Sequence, residues 1–282
     1  MKTIIKNKNF SASINLLGAE LEFFKKENTN YIWTIDKQYW DKTSPVLFPI
    51  VGKLKDDTYV YKNKTYHLSR HGFARNFEFK VKEHTLDSVA FSLIQNEATL
   101  LVFPFSFELE IKYALVENKL IISYHIYNHS NDEMPFNIGA HPAFAIDELF
   151  ENYSLQFSND EVFETHHLEN DLFNGKTSVV TRKKNVIKLN YDLFKNDALV
   201  FKNLNSKAVF LCKKDIPFLK VNFDGFPFLG IWTKAHAPFI CIEPWMGHAD
   251  FNDATGLIFD KKNIQTLKGS ENFNCSFSLE II

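Results

Sequence analysis

No apolar run in this chain approaches the ~20 residues needed to cross a bilayer. The N-terminus, Met1-Lys2-Thr3-Ile4-Ile5-Lys6-Asn7-Lys8, lacks the apolar core of a signal peptide. Cysteine is scarce. Cys212, Cys241 and Cys275 are odd in number and show no Cys-x-x-Cys spacing, which argues against a disulfide framework and against a zinc knuckle. An excess of either charge is missing too. The formal net charge is −2, with basic and acidic residues intermixed, so neither nucleic acid nor an anionic membrane is expected as a partner. Low-complexity linkers, fixed-period repeats and composition breaks are also lacking. A cytoplasmic protein forming one domain over residues 1–282 is expected, with its oligomeric state open.

What the chain has in abundance is β-strand pattern. Its 282 residues include 29 phenylalanines, residues that favour strands and bury large apolar areas. Phe107, Leu109, Ile111, Tyr113 and Leu115 alternate with Glu108, Glu110 and Lys112. After Glu117-Asn118, Leu120, Ile122, Tyr124 and Ile126 alternate again, so residues 107–128 read as a β-hairpin. Phe77, Phe79 and Val81 are answered by Val89, Phe91 and Leu93 in the same way. Further strands are expected near 11–17, 20–25, 57–68, 153–158, 207–212, 218–223, 228–233, 238–243 and 275–281. Helix is confined to a turn or two at 95–102 and 191–198, the second capped by Asp192. The polar stretch Glu169–Asn185 reads as a surface excursion, and His166-His167 as a surface pair pointing apart. Short strands with one polar face and little helix give an all-β fold, a large antiparallel β-sandwich.

Three islands join a titratable residue to a proline, a glycine or an aromatic ring. His71-Gly72-Phe73-Ala74-Arg75 places an imidazole beside a permissive backbone and a guanidinium four residues on. His141-Pro142-Ala143-Phe144 sets an imidazole in an apolar run, with Pro142 holding His141 out of the helical region. Glu243-Pro244-Trp245 places a carboxylate at what reads as the end of the apolar strand Phe239–Ile242, costly to bury without partners. The plainer readings are a surface histidine in a turn, a core histidine bonded to backbone, and a solvated glutamate beside a core tryptophan. Together, two imidazoles (pKa near ~6.5) and a carboxylate (near ~4.3) suit acid–base work on a small polar ring. Trp232 and Trp245 offer flat faces to sugar C–H bonds. Lys53, after Gly52, and Asp197, between a helical turn and a strand, are weaker candidates for the same cleft.

At these islands the chain resembles the aldose 1-epimerase (galactose mutarotase) superfamily, in its LacX-like bacterial branch. The resemblance rests on Pro45–Leu54, His71–Arg75, Pro135–Phe144, Phe194–Leu199 and Ile231–Gly247, in the family's order and almost end to end. It implies a β-supersandwich and interconversion of the α and β anomers of an aldose without metal or cofactor. Carried over, Glu243 would be the general base on the C1 hydroxyl and His141 the general acid on the ring oxygen. His71 and Asp197 would hold hydroxyls. Lys53 stands where many relatives have arginine, which puts a bidentate hydroxyl contact there in doubt. Arg75 completes a run also found in the hexose-6-phosphate branch, although that branch's arginine-rich motif is missing around residues 45–53.

Other function classes fit less well. A non-catalytic sugar-binding protein would keep Trp232 and Trp245 without needing Glu243 and His141 together. A glycoside hydrolase calls for two carboxylates at a set separation, and only Glu243 lies in a convincing motif. His71, His141 and Glu243 match zinc ligand types, but the short His-x-His or His-x-x-x-His spacing of local zinc sites is missing.

Overall fold

The computed structural model describes residues 2–282. Its two large sheets are antiparallel throughout. The first has nine strands, in the order Val186–Lys188, Tyr153–Phe157, Ala208–Lys213, Ile216–Asn222, Asn272–Ile281, Lys119–Asn128, Phe107–Val116, Ser88–Ile94 and Lys80–His84. Its centre is the hairpin read from alternation, with Leu115 opposite Leu120 and Phe107 opposite Asn128.

The second sheet runs Leu172–Val179, Glu164–Glu169, Leu199–Lys202, Phe228–Trp232, Phe239–Met246, Ile138–Ala140 and Val46–Leu47, with Ala143–Ala145 also paired to Phe239–Met246. Phe157 of the first sheet meets Phe201 of the second at 6.0 Å between ring centroids. Phe48, just past the second sheet's edge strand, meets Phe107 of the first at 5.3 Å. One cluster of buried apolar side chains runs from Ile5 to Ile281. A four-stranded sheet over residues 2–30 and two small two-stranded ribbons complete the strands. No helix among the described residues is long and apolar enough to cross a membrane.

The strand Phe239–Met246 is buried along nearly its whole length because both of its faces are covered. Ile240 and Ile242 point into the inter-sheet core. Cys241 and Trp245 belong to separate apolar clusters on the outer face, and period-2 geometry sends Glu243 that way with them. The site therefore sits on the outer face of the second sheet, behind the main core.

Several expectations change. Glu243 lies inside its strand rather than at its end, because the chain continues extended through Pro244 to Met246. The stretch after Glu169 is not a mere excursion. Leu172–Val179 pairs with Glu164–Glu169 as the edge of the second sheet, too polar to show a buried face in its sequence. A bulge between His166 and Leu168 interrupts that pairing. His166 packs on Phe173 and is not a plain surface residue, whereas His167 contacts the Ser178 hydroxyl. The short helix at Glu97–Val102 forms as expected. The turn at Tyr191–Phe194 is capped by Asn190, whose side chain accepts from Leu193 N–H, and not by Asp192.

Trp245 fits because two facing strands carry glycine. A Cβ on Gly230 would lie 2.6 Å from the Trp245 ring, and one on Gly139 2.8 Å from it. Gly230→Val is therefore expected to cost about 1–3 kcal/mol through overpacking, read as a lower midpoint in urea unfolding. An unchanged midpoint would show that the indole is not wedged there.

Candidate active site

His141 and Glu243 are cross-strand neighbours. Gly139 stands opposite Trp245 and Ala143 opposite Cys241, so the register between them sets His141 across from Glu243. The ladder opens at this point because Pro142 and Pro244 have no N–H to give. His141 Nε2 lies 3.2 Å from Glu243 Oε2. Both residues are buried, Glu243 to 1 % exposure. Trp40 covers the pair, with its ring 5.0 Å from that of His141 and 5.8 Å from that of Trp232.

His71 joins them from a different loop. The chain after the edge strand Val46–Leu47 and the chain around residue 72 are knitted together. Phe48 C=O accepts from both Phe73 and Ala74 N–H, and a Cβ on Gly72 would lie 2.2 Å from that oxygen. Glycine at φ +69° is therefore required there. His71 itself is at φ +68°. Its N–H donates to Gly52 C=O, and Gly52 N–H donates back to His71 Nδ1 at 3.1 Å. The imidazole is 5.8 Å from that of His141 and is buried, not a surface turn residue.

These groups face a cavity of ≈ 290 Å³, near the lower end of small-ligand sites, roughly 300–1,000 Å³. Of the residues marked in the sequence, His71, His141, Glu243, Arg75, Trp232 and Trp245 line it. Two do not. Lys53 turns away, its Nζ 3.9 Å from Asp57. Asp197 holds the rim beside the lining residue Ala198, whose N–H its carboxylate accepts. Trp40, Arg70 and Asp171 line the cavity without having been marked. Only Arg70 carried a local signal, as the neighbour of His71. Arg70 Nη1 pairs with Asp171 at 2.6 Å, and Arg75 Nη2 donates to Arg70 C=O at 2.7 Å.

Burial pushes the Glu243 carboxyl well above the ordinary carboxylate range. The Arg70 charge opposes this shift and the Asp197 charge adds to it. Burial, followed by the Arg70 charge, brings His141 down to about 3. His71 is also held well below its usual value, by burial first and then by Arg70, His141 and Arg75. The environment thus favours a neutral carboxyl beside a neutral imidazole, a state with the same number of protons as carboxylate beside imidazolium. The 3.2 Å approach of His141 Nε2 to Glu243 Oε2 is an ion-pair distance and not an aligned hydrogen bond. Glu243 Oε2 and His141 Nδ1 have no hydrogen-bond partner, so both pair members keep capacity for a ligand.

His141, Cys241 and Glu243 also offer metal-ligand atoms within 4.8 Å of one another. Burial and the Glu243 charge push the Cys241 thiol well above its ordinary value. A metal bound there would have to displace the thiol proton.

A family model for aldose 1-epimerase matches residues 1–258. The chain belongs to the aldose 1-epimerase family. Its relatives include the chromosomal LacX protein of Lactococcus lactis subsp. lactis, 32 % identical over 298 residues that cover 99 % of this chain and 98 % of that protein. A galactose mutarotase related enzyme from Lactobacillus acidophilus superposes with a TM-score of 0.95 at 35 % identity, covering 100 % and 97 % of the two chains. A galactose mutarotase-like protein from Lactobacillus casei gives 0.93 at 30 % identity, with both chains fully covered. The sandwich is the galactose mutarotase-like fold of these neighbours.

A carboxyl whose pKa is raised by folding weakens the fold at any pH above its unfolded value, because ionisation there favours the unfolded chain. Glu243→Gln removes that group. It is expected to raise Tm at pH 8, by about 2–4 °C for each kcal/mol recovered, with the gain shrinking toward pH 4. A Tm that falls equally at both pH values would contradict the burial argument.

Proposed function

We propose that this family member is an aldose 1-epimerase that interconverts the α and β anomers of a free aldohexose. The observation that carries the reading is the facing pair of His141 and Glu243, 3.2 Å apart at the wall of a sugar-sized cavity. With the pair as carboxylate and imidazolium, Glu243 takes the C1 hydroxyl proton while His141 gives one to the ring oxygen. The C1–ring oxygen bond breaks, its electrons staying on oxygen, and C1 becomes a carbonyl. Rotation about C1–C2 presents the other carbonyl face, and reclosure runs both transfers backward. The open-chain stage leaves Glu243 protonated and His141 neutral, the form that burial favours, and no net proton is consumed.

Positioning and paired proton transfer supply this chemistry. Trp40 and Trp232 shield the pair, and His71 holds a hydroxyl. The cysteines carry free thiols, two of them buried, which fits the reducing cytoplasm expected for the chain. One observation favours a phosphorylated aldose as a second reading. Arg75 lines the cavity, and among the described residues no carboxylate lies within ion-pairing distance of it.

Polarimetry or NMR anomer exchange on free and phosphorylated sugars tests both readings. Glu243→Gln and His141→Asn should each lose on the order of 10²–10⁴-fold in rate, without adding fully, because the two act as a unit. His71→Asn should raise KM more than it lowers kcat. Unchanged exchange in Glu243→Gln would remove that residue as base. No exchange by the wild type with any aldose would shift the reading to a sugar-binding protein.

The pH profile is distinctive. The active pair holds one proton; a second proton, taken up near pH 3 by His141, removes the base. Loss of the shared proton, well above the ordinary carboxylate range, removes the acid. After subtraction of the spontaneous reaction, kcat/KM should stay level from pH 6.5 down past pH 4.5. An acid limb centred near pH ~6.5, the value of a free imidazole, would contradict it.

A further inference from the structure

Gly52 and Arg70 each direct an N–H at the His71 ring, one at each ring nitrogen. A neutral imidazole accepts a hydrogen bond at one ring nitrogen only. Gly52 N–H, fixed by the backbone, occupies His71 Nδ1, so the ring proton is on Nε2. Arg70 Nε–H is directed at that same Nε2 from 3.2 Å, so the ring cannot accept from both donors. Two N–H groups therefore stand side by side at the wall of the cavity. An oxygen seated beside the two nitrogens, on the cavity side, can accept from both.

A second observation bears on the same point. Lys53, after Gly52, turns away from the cavity toward Asp57. The guanidinium groups in the cavity wall are those of Arg70 and Arg75, on a different loop. Arg70 Nη1 is held by Asp171, in the turn joining Glu164–Glu169 to Leu172–Val179. The Arg70 and Asp171 side chains are 42 % and 34 % exposed, and such half-exposed pairs contribute about 0–1 kcal/mol to stability. A role in the fold explains them poorly.

We propose that Arg70 and His71 together cradle one hydroxyl oxygen of the sugar, on a carbon away from C1, with Asp171 as the residue that positions the guanidinium. The cradle rests on the sugar-binding half of the reading above. It makes Arg70 a specificity residue: an aldose lacking that hydroxyl leaves two buried-facing donors unpaired. A lysine at 70 keeps the charge but gives no planar fork.

The test is calorimetric binding of a parent aldose and its monodeoxy analogues in a Glu243→Gln background, with and without R70M, alongside polarimetry of the wild type. Circular dichroism checks that each variant is folded. R70M should weaken the parent sugar by about 10- to 100-fold, the range for hydrogen bonds to a charged donor, and R70K should fall between. One deoxy analogue should bind weakly to the parent protein and be indifferent to R70M. D171N should weaken binding in the presence of Arg70 and have no effect once Arg70 is replaced, which a merely structural role would not produce. Parent-sugar affinity unchanged by R70M, or the same further loss with every deoxy analogue, overturns the cradle even if the wild type exchanges anomers. A wild type that exchanges none, yet binds sugar in this Arg70-dependent way, ends the mutarotase reading and leaves the cradle standing.

Discussion

The rest of the site depends on one cross-strand pairing, His141 against Glu243. Antiparallel pairing puts directly opposite residues on the same face, with Cβ atoms about 4.5–5.5 Å apart. An imidazole and a carboxyl placed there meet without any loop having to hold them. Pro142 and Pro244 interrupt the regular ladder around that rung, where Ile242 N–H still donates to Pro142 C=O. The remaining elements serve this pair. Trp40 covers it, the Gly52–His71 exchange brings a second imidazole to its edge, and Arg70 sets its charge balance.

Burial of this pair is an electrostatic cost the fold carries. A buried carboxyl and imidazole both move toward their neutral forms, and here they do so in opposite directions on the pH scale. The two forms of the pair differ only by a proton moved within the site. In the mutarotase reading proposed above, reversible ring opening would use both forms.

The sandwich was legible in the sequence because alternation survives wherever one face is wet, as in Phe107–Asn128. It failed where both faces are buried or neither is. Phe239–Met246 shows no alternation, so Pro244 was read as a terminus when it lies within a strand. Leu172–Val179 is a polar edge and read as loop. His71, His141 and Glu243 stood out because glycine and proline mark constrained backbone beside them. Their arrangement could not be read locally, since it follows from which strands pair. Trp40 and Asp171 sit in polar loops and acquire a place in the cavity only through tertiary packing. The direction of Lys53 was invisible for the same reason: Gly52 permits either course of the chain, and Ala249, against which Gly52 packs, is nearly two hundred residues away.

The alternation of the two faces along Phe239–Met246 has a bearing on how the chain folds. A slip of one residue in its pairing would exchange Ile242 with Glu243, sending a carboxyl into the phenylalanine-rich interior and an isoleucine into the cavity. Trp245 would leave its slot between two glycines at the same time. Incorrectly paired forms of the central strands are thus penalised by the chemistry-bearing residue itself. The residue that makes the interior face expensive to misplace is the one proposed as the base on the exterior face.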